Sequence, residues 1–567
     1  MISVRPIPQD IAQQLCAAGV PPVLARLLAA RGIASAGELD RDLARLLPPP
    51  TMKGISDAAR LLADAIERGE RLCIVADYDC DGATACAVAV RGLRQLGAAH
   101  VDYLVPNRFE HGYGLTVPVV ELAAQHPRLG KPDWLITVDS GIASVDGVAA
   151  ARAHGMRVIV TDHHLPGQTL PAADAIVDPN QPGCGFASKH LAGVGVMFYL
   201  LLALRAELRR RRPEHPAGRV PLQQLLDLVA LGTVADLVKL DGNNRLLAAT
   251  GLQRIRAGRA CAGIRALLRV AGRDEARCGC SDLGFAVGPR INAAGRLADI
   301  SIGIECLLCD DAAHADELAT MLDTMNRERR EIEHSMREEA LESLPADIDE
   351  APAIVMHREG WHEGVIGLVA SRLKDRLHRP AIALALAGDG ALRGSGRSIP
   401  GVHLRDVLDL VDKRAPGLLL RFGGHAMAAG LTLHAARLAE FTQLFRQAVL
   451  DFADPGCFAR ETLTDGALEA EQIDLPLVEA LESQVWGQGF PAPLFSDTFE
   501  VGRQSLMAGK HLRIELRSGT RKLTAVAFGR TEPLPSPARI AYRLIRDEFQ
   551  GLASVRLVIE TVEAAAV

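Results

Sequence analysis

Three aspartates stand at alternate positions in the decapeptide Val75-Ala-Asp77-Tyr-Asp79-Cys-Asp81-Gly-Ala-Thr84, directly after the apolar run Leu72 to Val75. Such a run followed by glycine and small residues predicts a short buried strand turning into a helix. Carboxylates this close repel one another unless cations neutralise them. An oxygen-rich set of this kind suits a hard divalent ion such as Mg²⁺ or Mn²⁺. An acidic turn solvating a strand end is the plainer alternative for this stretch taken alone. Further apolar runs end in the same chemistry. Trp134 to Val138 leads into Asp139-Ser-Gly, and Arg157 to Val160 leads into Thr161-Asp162-His163-His164. Leu225 to Leu231, read as the last strand of the series, leads into Gly232-Thr-Val-Ala-Asp236. One aspartate after a strand is commonly a turn or helix cap, but one such explanation covers the whole series poorly. Asp77, Asp79, Asp81, Asp139, Asp162, His163, His164 and Asp236 can together supply two divalent cations that share a carboxylate.

Groups so far apart in sequence need a scaffold that gathers them, and a doubly wound parallel sheet collects ligands at the carboxyl ends of its strands. Residues 56–250 alternate strand-like and helix-like patterns, with a further strand at Val101 to Val105, and predict an α/β catalytic domain of this kind. Residues 1–55 read as a helical preface without chemistry. Residues 251–345 are helical and charged, and residues 312–342 predict one long amphipathic helix linking two domains. Residues 346–452 predict a second α/β domain, with strands at Ala353 to Met356 and Ala381 to Ala385. The last section, 453–567, splits by charge. Eleven Asp or Glu face one Arg between 451 and 500, whereas ten Lys or Arg face two Glu between 501 and 546. Short strands with a basic face suit an OB-type barrel that tracks single-stranded nucleic acid, with Lys510, Arg513, Arg521 and Lys522 as candidate contacts.

Three glycine-containing stretches are candidates for phosphate. Gly288-Pro-Arg-Ile-Asn-Ala-Ala-Gly-Arg296 is read as a loop in which Arg290 and Arg296 flank Asn292 and offer fork-shaped donors. Arg393-Gly-Ser-Gly-Arg-Ser398 and Gly423-Gly-His425 are read as segments between elements whose backbone N–H groups can cup an anion.

The totals set bounds. A 567-residue chain with 48% hydrophobic and 4% aromatic residues exceeds one compact core and fits soluble α/β architecture. Net charge of −6 excludes indiscriminate polyanion binding by the whole surface, though not by a local basic groove. Met1 to Pro8 carries no basic leader with an apolar core, and the run from Leu191 to Leu204 is too short to span a bilayer. A cytoplasmic protein without membrane contact is expected. Eleven cysteines at irregular spacing form no disulfide framework. Cys278-x-Cys280 and Cys306-x-x-Cys309 read as buried thiols rather than a zinc site. No heptad run demands a dimer, so a monomer is expected.

The ordered series of Asp77-x-Asp79-x-Asp81-Gly, Asp139, Asp162-His163-His164 and Asp236 resembles the DHH phosphoesterase superfamily, and within it the bacterial single-strand-specific exonucleases. Asn107-Arg-Phe-Glu-His-Gly-Tyr-Gly114, Asp178-Pro-Asn-Gln-Pro-Gly183, Leu191-Ala-Gly-Val-Gly195, Gly288 to Arg296, Gly360-Trp-His-Glu-Gly-Val-Ile-Gly367 and Gly423 to Gly430 carry the likeness from about residue 50 to the end. Asp77 stands where many members of the superfamily have His. The resemblance implies a two-cation site using Mn²⁺ or Mg²⁺: Asp77 and Asp79 on one ion, Asp81 and His163 on the other, Asp139 between them, and Asp236 completing the set. It implies that His164 faces the scissile phosphate and that Asp162 orients its neighbours. Arg290, Asn292, Arg296 and Tyr113 would meet the substrate backbone, and Arg290, Arg296 and, from the Gly423-Gly424 loop, His425 would add charge stabilisation around the non-bridging oxygens. Ser395, Arg397 and Arg108 would hold a terminal 5′ phosphate. The implied activity is 5′-to-3′ hydrolysis of single-stranded DNA to 5′ mononucleotides in recombination and repair, with a narrow passage excluding duplex. Single-strand-binding protein and a helicase are the implied partners. A small-nucleotide DHH phosphatase and a non-catalytic replication scaffold are the alternatives.

Overall fold

The computed structural model describes residues 1–107, 110–344, 348, 351–388, 390–519 and 521–564. Two compact units divide the chain: residues 4–325 with 464–567 form one, and residues 1–3 with 326–463 form the other. The strands are β1 (Ile2–Val4), β2 (Arg71–Ala76), β3 (His100–Leu104), β4 (Trp134–Val138), β5 (Arg157–Thr161), β6 (Ala175–Val177), β7 (Ile354–His357), β8 (Ala381–Leu386), β9 (Ala391–Arg397), β10 (Leu419–Gly424), β11 (Ala428–His434), β12 (Thr462–Thr464), β13 (Phe495–Met507), β14 (His511–Ser518), β15 (Arg521–Ala527), β16 (Ala538–Phe549) and β17 (Leu552–Ala564).

In the larger unit β2 to β6 form an all-parallel sheet in the order β3-β2-β4-β5-β6. Alternation of side chains explains why its strands read as unbroken apolar runs. Leu72, Ile74, Ile136, Val138 and Ile159 enter one core, with the helices Ile55–Arg68, Cys80–Gln95 and Gly193–Arg211. Cys73, Val75, Leu135, Val158 and Val160 enter another, with the helices Val117–Ala124 and Val145–Ala153. A sheet covered on both faces needs apolar residues at both parities. The short strand β6 was not expected.

Leu225 to Leu231 is not a strand. It lies in the helix Leu226–Ala235, whose residues are buried on every side from Leu226 to Val234. An apolar run buried all round carries no period, so its pattern fits a central strand and a core helix equally. The stretch from Gly288 is likewise the helix Gly288–Leu297, with Pro in its first turn and a π-helical turn, Leu283–Val287, before it. Pro is tolerated there because the first N–H groups lack helical partners anyway.

The smaller unit holds a five-stranded sheet in the order β10-β11-β9-β8-β7. One core contains Ile382, Leu384, Leu431 and Phe445, and the other contains Ile354, Ala383, Val369 and Trp361. The Arg393 to Ser398 segment read as lying between elements is mostly β9. Its glycines are there for close packing: a Cβ on Gly394 would meet Leu431 at 3.0 Å, and one on Gly396 would meet Leu404 at 2.8 Å. Gly423 and Gly424 end β10, so of these three residues His425 alone lies in the turn, 425–427, that leads to β11. The helix Ala312–Glu342 begins in the larger unit and continues into the smaller.

Strands β13 to β17 close into a five-stranded barrel in the order β13-β14-β15-β17-β16. It shares a hydrophobic core with the N-terminal helices and the parallel-sheet region. The tie between them is a buried bidentate pair. Arg31 Nη1 and Nη2 each donate to Asp465 at 2.8 Å, and Arg31 also donates to the carbonyls of Leu27 at 2.8 Å and Pro491 at 2.7 Å. The guanidinium lies 5.2 Å from the Trp486 ring centre. No described helix is long and apolar enough to cross a membrane.

A buried pair is costly to break, because the surviving Asp465 is left in the core with only the longer contact to Arg5, at 3.6 Å, as a cation. Arg31→Met is expected to destabilise the larger unit by about 3–5 kcal/mol. Arg31→Met combined with Asp465→Leu is expected to recover part of that loss. A thermal-denaturation double-mutant cycle measures both, and additive losses would contradict the coupling.

Candidate metal centre

Three strand ends and one helix end deliver the acidic groups. After β2, Asp79 caps the helix Cys80–Gln95, accepting from the N–H groups of Asp81 at 2.9 Å and Gly82 at 3.0 Å. Asp81 is fully buried and accepts from Gly193 N at 2.6 Å and Val194 N at 3.0 Å, at the positive start of the helix Gly193–Arg211. Asp139 leaves β4 at φ 60°, a strained conformation for an aspartate. His163 and His164 follow β5, and Asp236 ends the helix Leu226–Ala235.

Two clusters result, linked by a third. Asp77, Asp79 and Asp139 bring one ligand atom each within 4.8 Å of one another, Asp81, His163 and Asp236 do the same, and Asp139, His163 and His164 form the group between them. Asp139 joins the two, since its Oδ1 lies 3.0 Å from His163 Nε2. Asp236 Oδ2 is 3.6 Å from that same nitrogen. Burial and the neighbouring His164 hold the His163 imidazole down to about 4, and its other polar contact is a hydrogen bond to the Leu191 backbone. Nε2 is thus a lone pair facing carboxylate oxygen, and neither it nor Asp139 Oδ1 makes a hydrogen bond. Electron-rich atoms held face to face in a buried site are the donor set of a cation.

The carboxylates report the same strain. Burial and Asp79 push Asp81 up to about 7, and burial and Asp81 push Asp139 and Asp236 well above the usual range. Asp162 behaves oppositely. Although burial opposes its charge, the bond from His164 and backbone donors keep it below the usual range. Its Oδ1 accepts from His163 N at 2.7 Å, His164 N at 3.1 Å and His164 Nδ1 at 2.7 Å, and its Oδ2 accepts from Ile142 N at 2.9 Å. A carboxylate saturated in this way orients the two histidines and has little left for a metal. Against its own burial, His164 is raised to about 9 by Asp162. Tyr113 Oη lies 3.4 Å from the His164 ring nitrogens and 3.5 Å from the Asp139 carbonyl.

Supporting residues without an assigned role in the sequence reading also converge here. Asn180 donates to the His163 carbonyl at 2.6 Å. Glycine is needed at two helix positions, because a Cβ on Gly193 would lie 2.5 Å from Asp139 Oδ1 and one on Gly232 would lie 2.8 Å from Asp81 Oδ1. The motif Leu191 to Gly195 signalled them only as a small-residue helix start. Asn292 Oδ1 accepts from Cys80 N at 2.8 Å, so it braces the loop between Asp79 and Asp81. Arg290 differs from its expected duty. It is buried, donates to Asp323 at 2.7 and 2.9 Å and to the Ala286 carbonyl at 2.6 Å, and so anchors its helix to the Ala312–Glu342 helix. Arg296 sits half-buried in the last turn of the same helix.

In the smaller unit, strand register sets Gly423, Gly430 and Ser395 in one row across β10, β11 and β9, with Arg397 opposite Ala428. Arg397 donates to Ser395 Oγ at 3.1 Å. A Cβ on Gly367, in the first turn of the helix Ile366–Leu377, would lie 3.0 Å from both Arg397 Nη2 and Ser395 Oγ. Gly423, Gly424 and His425 are exposed at the hairpin tip. Arg108 lies outside the described residues. On the barrel, Lys510 and Arg513 are exposed and form no ion pair among the described residues. Arg521 is committed to the carbonyls of Ala470 and Ile473, and Lys522 pairs with Glu515 at 3.3 Å. The eleven cysteines are free thiols, and none belongs to a cluster able to hold a metal among the described residues.

A parallel sheet that gathers an aspartate triplet, two further carboxylates and a His pair at its carboxyl edge defines a phosphoesterase of the DHH class. Residues 71–233 match the DHH family, N-terminal domain, residues 350–451 the DHHA1 domain, and residues 464–561 the RecJ OB domain. The chain is 47% identical over 559 residues to the single-stranded-DNA-specific exonuclease RecJ of Escherichia coli (strain K12), covering 96% of each chain. It is 35% identical over 536 residues to RecJ of Bacillus subtilis (strain 168), covering 90% of this chain and 64% of that one. The crystal structure of Thermus thermophilus RecJ in complex with Mn²⁺ superposes with a TM-score of 0.83 at 31% identity, covering 100% of this chain and 79% of that one. Its complex with Mg²⁺ gives a TM-score of 0.77 at 30% identity, with 100% and 78% covered. The chain belongs to the RecJ family. Full-length similarity of this order removes the support for the small-nucleotide phosphatase and scaffold alternatives.

The raised carboxylates set a pH test. The folded state binds protons at Asp81 more tightly than the unfolded state, so stability without metal is lost as pH rises from the ordinary carboxylate range through about 7. The Tm of the chelated protein is therefore expected to fall across that window. Saturating Mn²⁺ at pH 8 is expected to restore about 5 °C or more. A chelated Tm that stays flat with pH and ignores Mn²⁺ would remove the cation site.

Proposed function

We propose that this chain hydrolyses single-stranded DNA from a free 5′ end, releasing 5′ mononucleotides with two divalent cations, Mn²⁺ or Mg²⁺. The observation that carries the reading is the confrontation of His163 Nε2 and Asp139 Oδ1 at 3.0 Å between two carboxylate clusters. When bound, the cations supply a water of lowered pKa and positive charge for the phosphate oxygens.

The chain's own groups do the rest. Asp77 and Asp79 hold one ion, Asp81 and His163 the other, Asp139 links them and Asp236 completes the shell. Asp162 fixes both histidines and keeps a proton on His164, whose charged ring donates to a non-bridging oxygen. Tyr113 steadies that ring. Asn292 braces the metal-bearing loop, and Arg296 and His425 add charge at the substrate. Ser395 and Arg397 receive the 5′ phosphate beside the Ile366–Leu377 helix start, with Arg108 as a further candidate. The exposed Lys510 and Arg513 are the favoured barrel contacts. The same reading has the protein working in the cytoplasm as a monomer, with single-strand-binding protein and a helicase. As domains it assigns 56–250 to catalysis, 346–452 to substrate binding and 453–567 to DNA contact, with 1–55 and 251–345 as supporting segments.

The test uses Mn²⁺ and a 3′-labelled, 5′-phosphorylated single strand beside its duplex and a dinucleotide. Shortening from the 5′ end on the single strand alone is expected, and cleavage of the dinucleotide alone would overturn the assignment. Asp139→Ala is expected to abolish hydrolysis without loss of fold. Arg397→Ala is expected to raise KM about tenfold for a 5′-phosphorylated strand, the worth of one charge-assisted contact, and far less for a 5′-hydroxyl strand.

A further inference from the structure

Two exposed apolar side chains stand on turns that pack against the elements carrying Asp236 and Cys80, where neither stability nor solubility explains them. Leu237 directly follows Asp236. It adopts φ 60° with 62% of its surface exposed. That is the helix-ending position at which glycine is favoured, because a Cβ there is strained. A leucine is thus disfavoured twice over, by its backbone and by its wet side chain. Phe285 is 74% exposed, in the π-helical turn Leu283–Val287. Single π turns within helices occur frequently at functional sites. Arg290 holds this one through the Ala286 carbonyl and the ion pair with Asp323, so the ring is displayed by a fixed turn.

The two turns adjoin one another and the metal-bearing loop. A Cβ on Gly284 would lie 3.4 Å from Val234 Cγ1, and Leu237 N donates to the Val234 carbonyl at 3.4 Å. A Cβ on Gly288 would lie 3.1 Å from Ala235 Cβ and 3.8 Å from Cys80 Sγ, and Cys80 stands between Asp79 and Asp81. Isolated exposed leucines are ordinary on a protein surface. A strained leucine and a displayed phenylalanine on neighbouring turns against a metal centre are not.

We propose that Leu237 and Phe285 form an apolar platform for the nucleobases of the strand whose phosphate is at the metal centre. This rests on the exonuclease reading above. Every base has a π face, so stacking on Phe285 with Leu237 alongside positions single strands without regard to sequence. It also disfavours duplex, whose bases are already stacked.

The test compares the full-length protein with Phe285→Ser, Phe285→Trp and Leu237→Gly, in Mn²⁺, on two 5′-phosphorylated single strands. One is normal, and the other carries tetrahydrofuran abasic residues at its 5′-terminal positions. Phe285→Ser is expected to raise KM on the normal strand about tenfold with kcat little changed. Phe285→Trp is expected to restore it. On the abasic strand wild type and variants are expected to share one raised KM. Leu237→Gly is expected to raise KM while Tm holds or rises and Mn²⁺ affinity, read by electron paramagnetic resonance, is unchanged. Wild-type KM in both Phe285→Ser and Leu237→Gly on the normal strand, or equal losses on the two strands, would overturn the platform. A wild-type protein that degrades neither strand would instead overturn the exonuclease reading, and this inference with it.

Discussion

Mutual repulsion among buried carboxylates is the constraint on which the rest of the larger unit depends. Two unit charges 4 Å apart repel by about 4 kcal/mol even at an effective dielectric of 20. Asp77, Asp79, Asp81, Asp139 and Asp236 share two clusters of that dimension. The fold must therefore hold them against a force that favours opening. It does so chiefly with backbone dipoles and rigid turns, with the charged His164 ring beside them. The Gly193 and Val194 N–H groups take Asp81, and the Asp81 and Gly82 N–H groups take Asp79. A lysine in the same place would neutralise the site and occupy it.

Because the restraint is backbone, it needs backbones to come close. Gly193 and Gly232 stand where any Cβ would collide with Asp139 or Asp81. The helix that begins at Gly193 is buried through Leu201 and the one that ends at Asp236 is buried from Leu226 to Val234, so the approach is fixed by core packing around Leu200, Leu204, Leu228 and Leu231. Asp162 shows the contrasting solution. Four donors saturate it, it stays ionised despite burial, and its charge fixes a proton on His164. Adjacent residues of the Asp-His-His run thus differ in state: Asp162 is a saturated carboxylate, His163 presents an unpaired Nε2, and His164 carries charge.

What the sequence disclosed followed the range of the interactions involved. The aspartate triplet was visible because its members are neighbours in the chain, and β2, β4 and β5 because both faces of a parallel sheet are apolar. The Ala312–Glu342 helix was visible because its stripe keeps the helical period for many turns. Leu225 to Leu231 was misread because burial on all sides erases period. The Gly394 and Gly396 stretch was misread because glycine signals a turn and a tightly packed strand alike. The pairing of Arg290 with Asp323 was not visible because the partner lies on another helix, and no local pattern announces such a pair.

The long-range pairs also explain how distant segments come to support one site. Arg31 and Asp465 are separated by most of the chain, yet their bidentate contact fastens the N-terminal helices to the segment entering the barrel. The N-terminal residues thus help fix how the barrel sits on the parallel-sheet region within the same unit. Arg290 and Asp323 act in the same way nearer the centre. They pin the helix whose Asn292 holds Cys80 N, and through it the spacing of Asp79 and Asp81. In both cases a buried arginine with its donors spent on one carboxylate and nearby carbonyls sets a distance between elements. A single apolar contact, lacking direction, would not fix that distance to the tolerance that a site of several convergent ligand atoms requires.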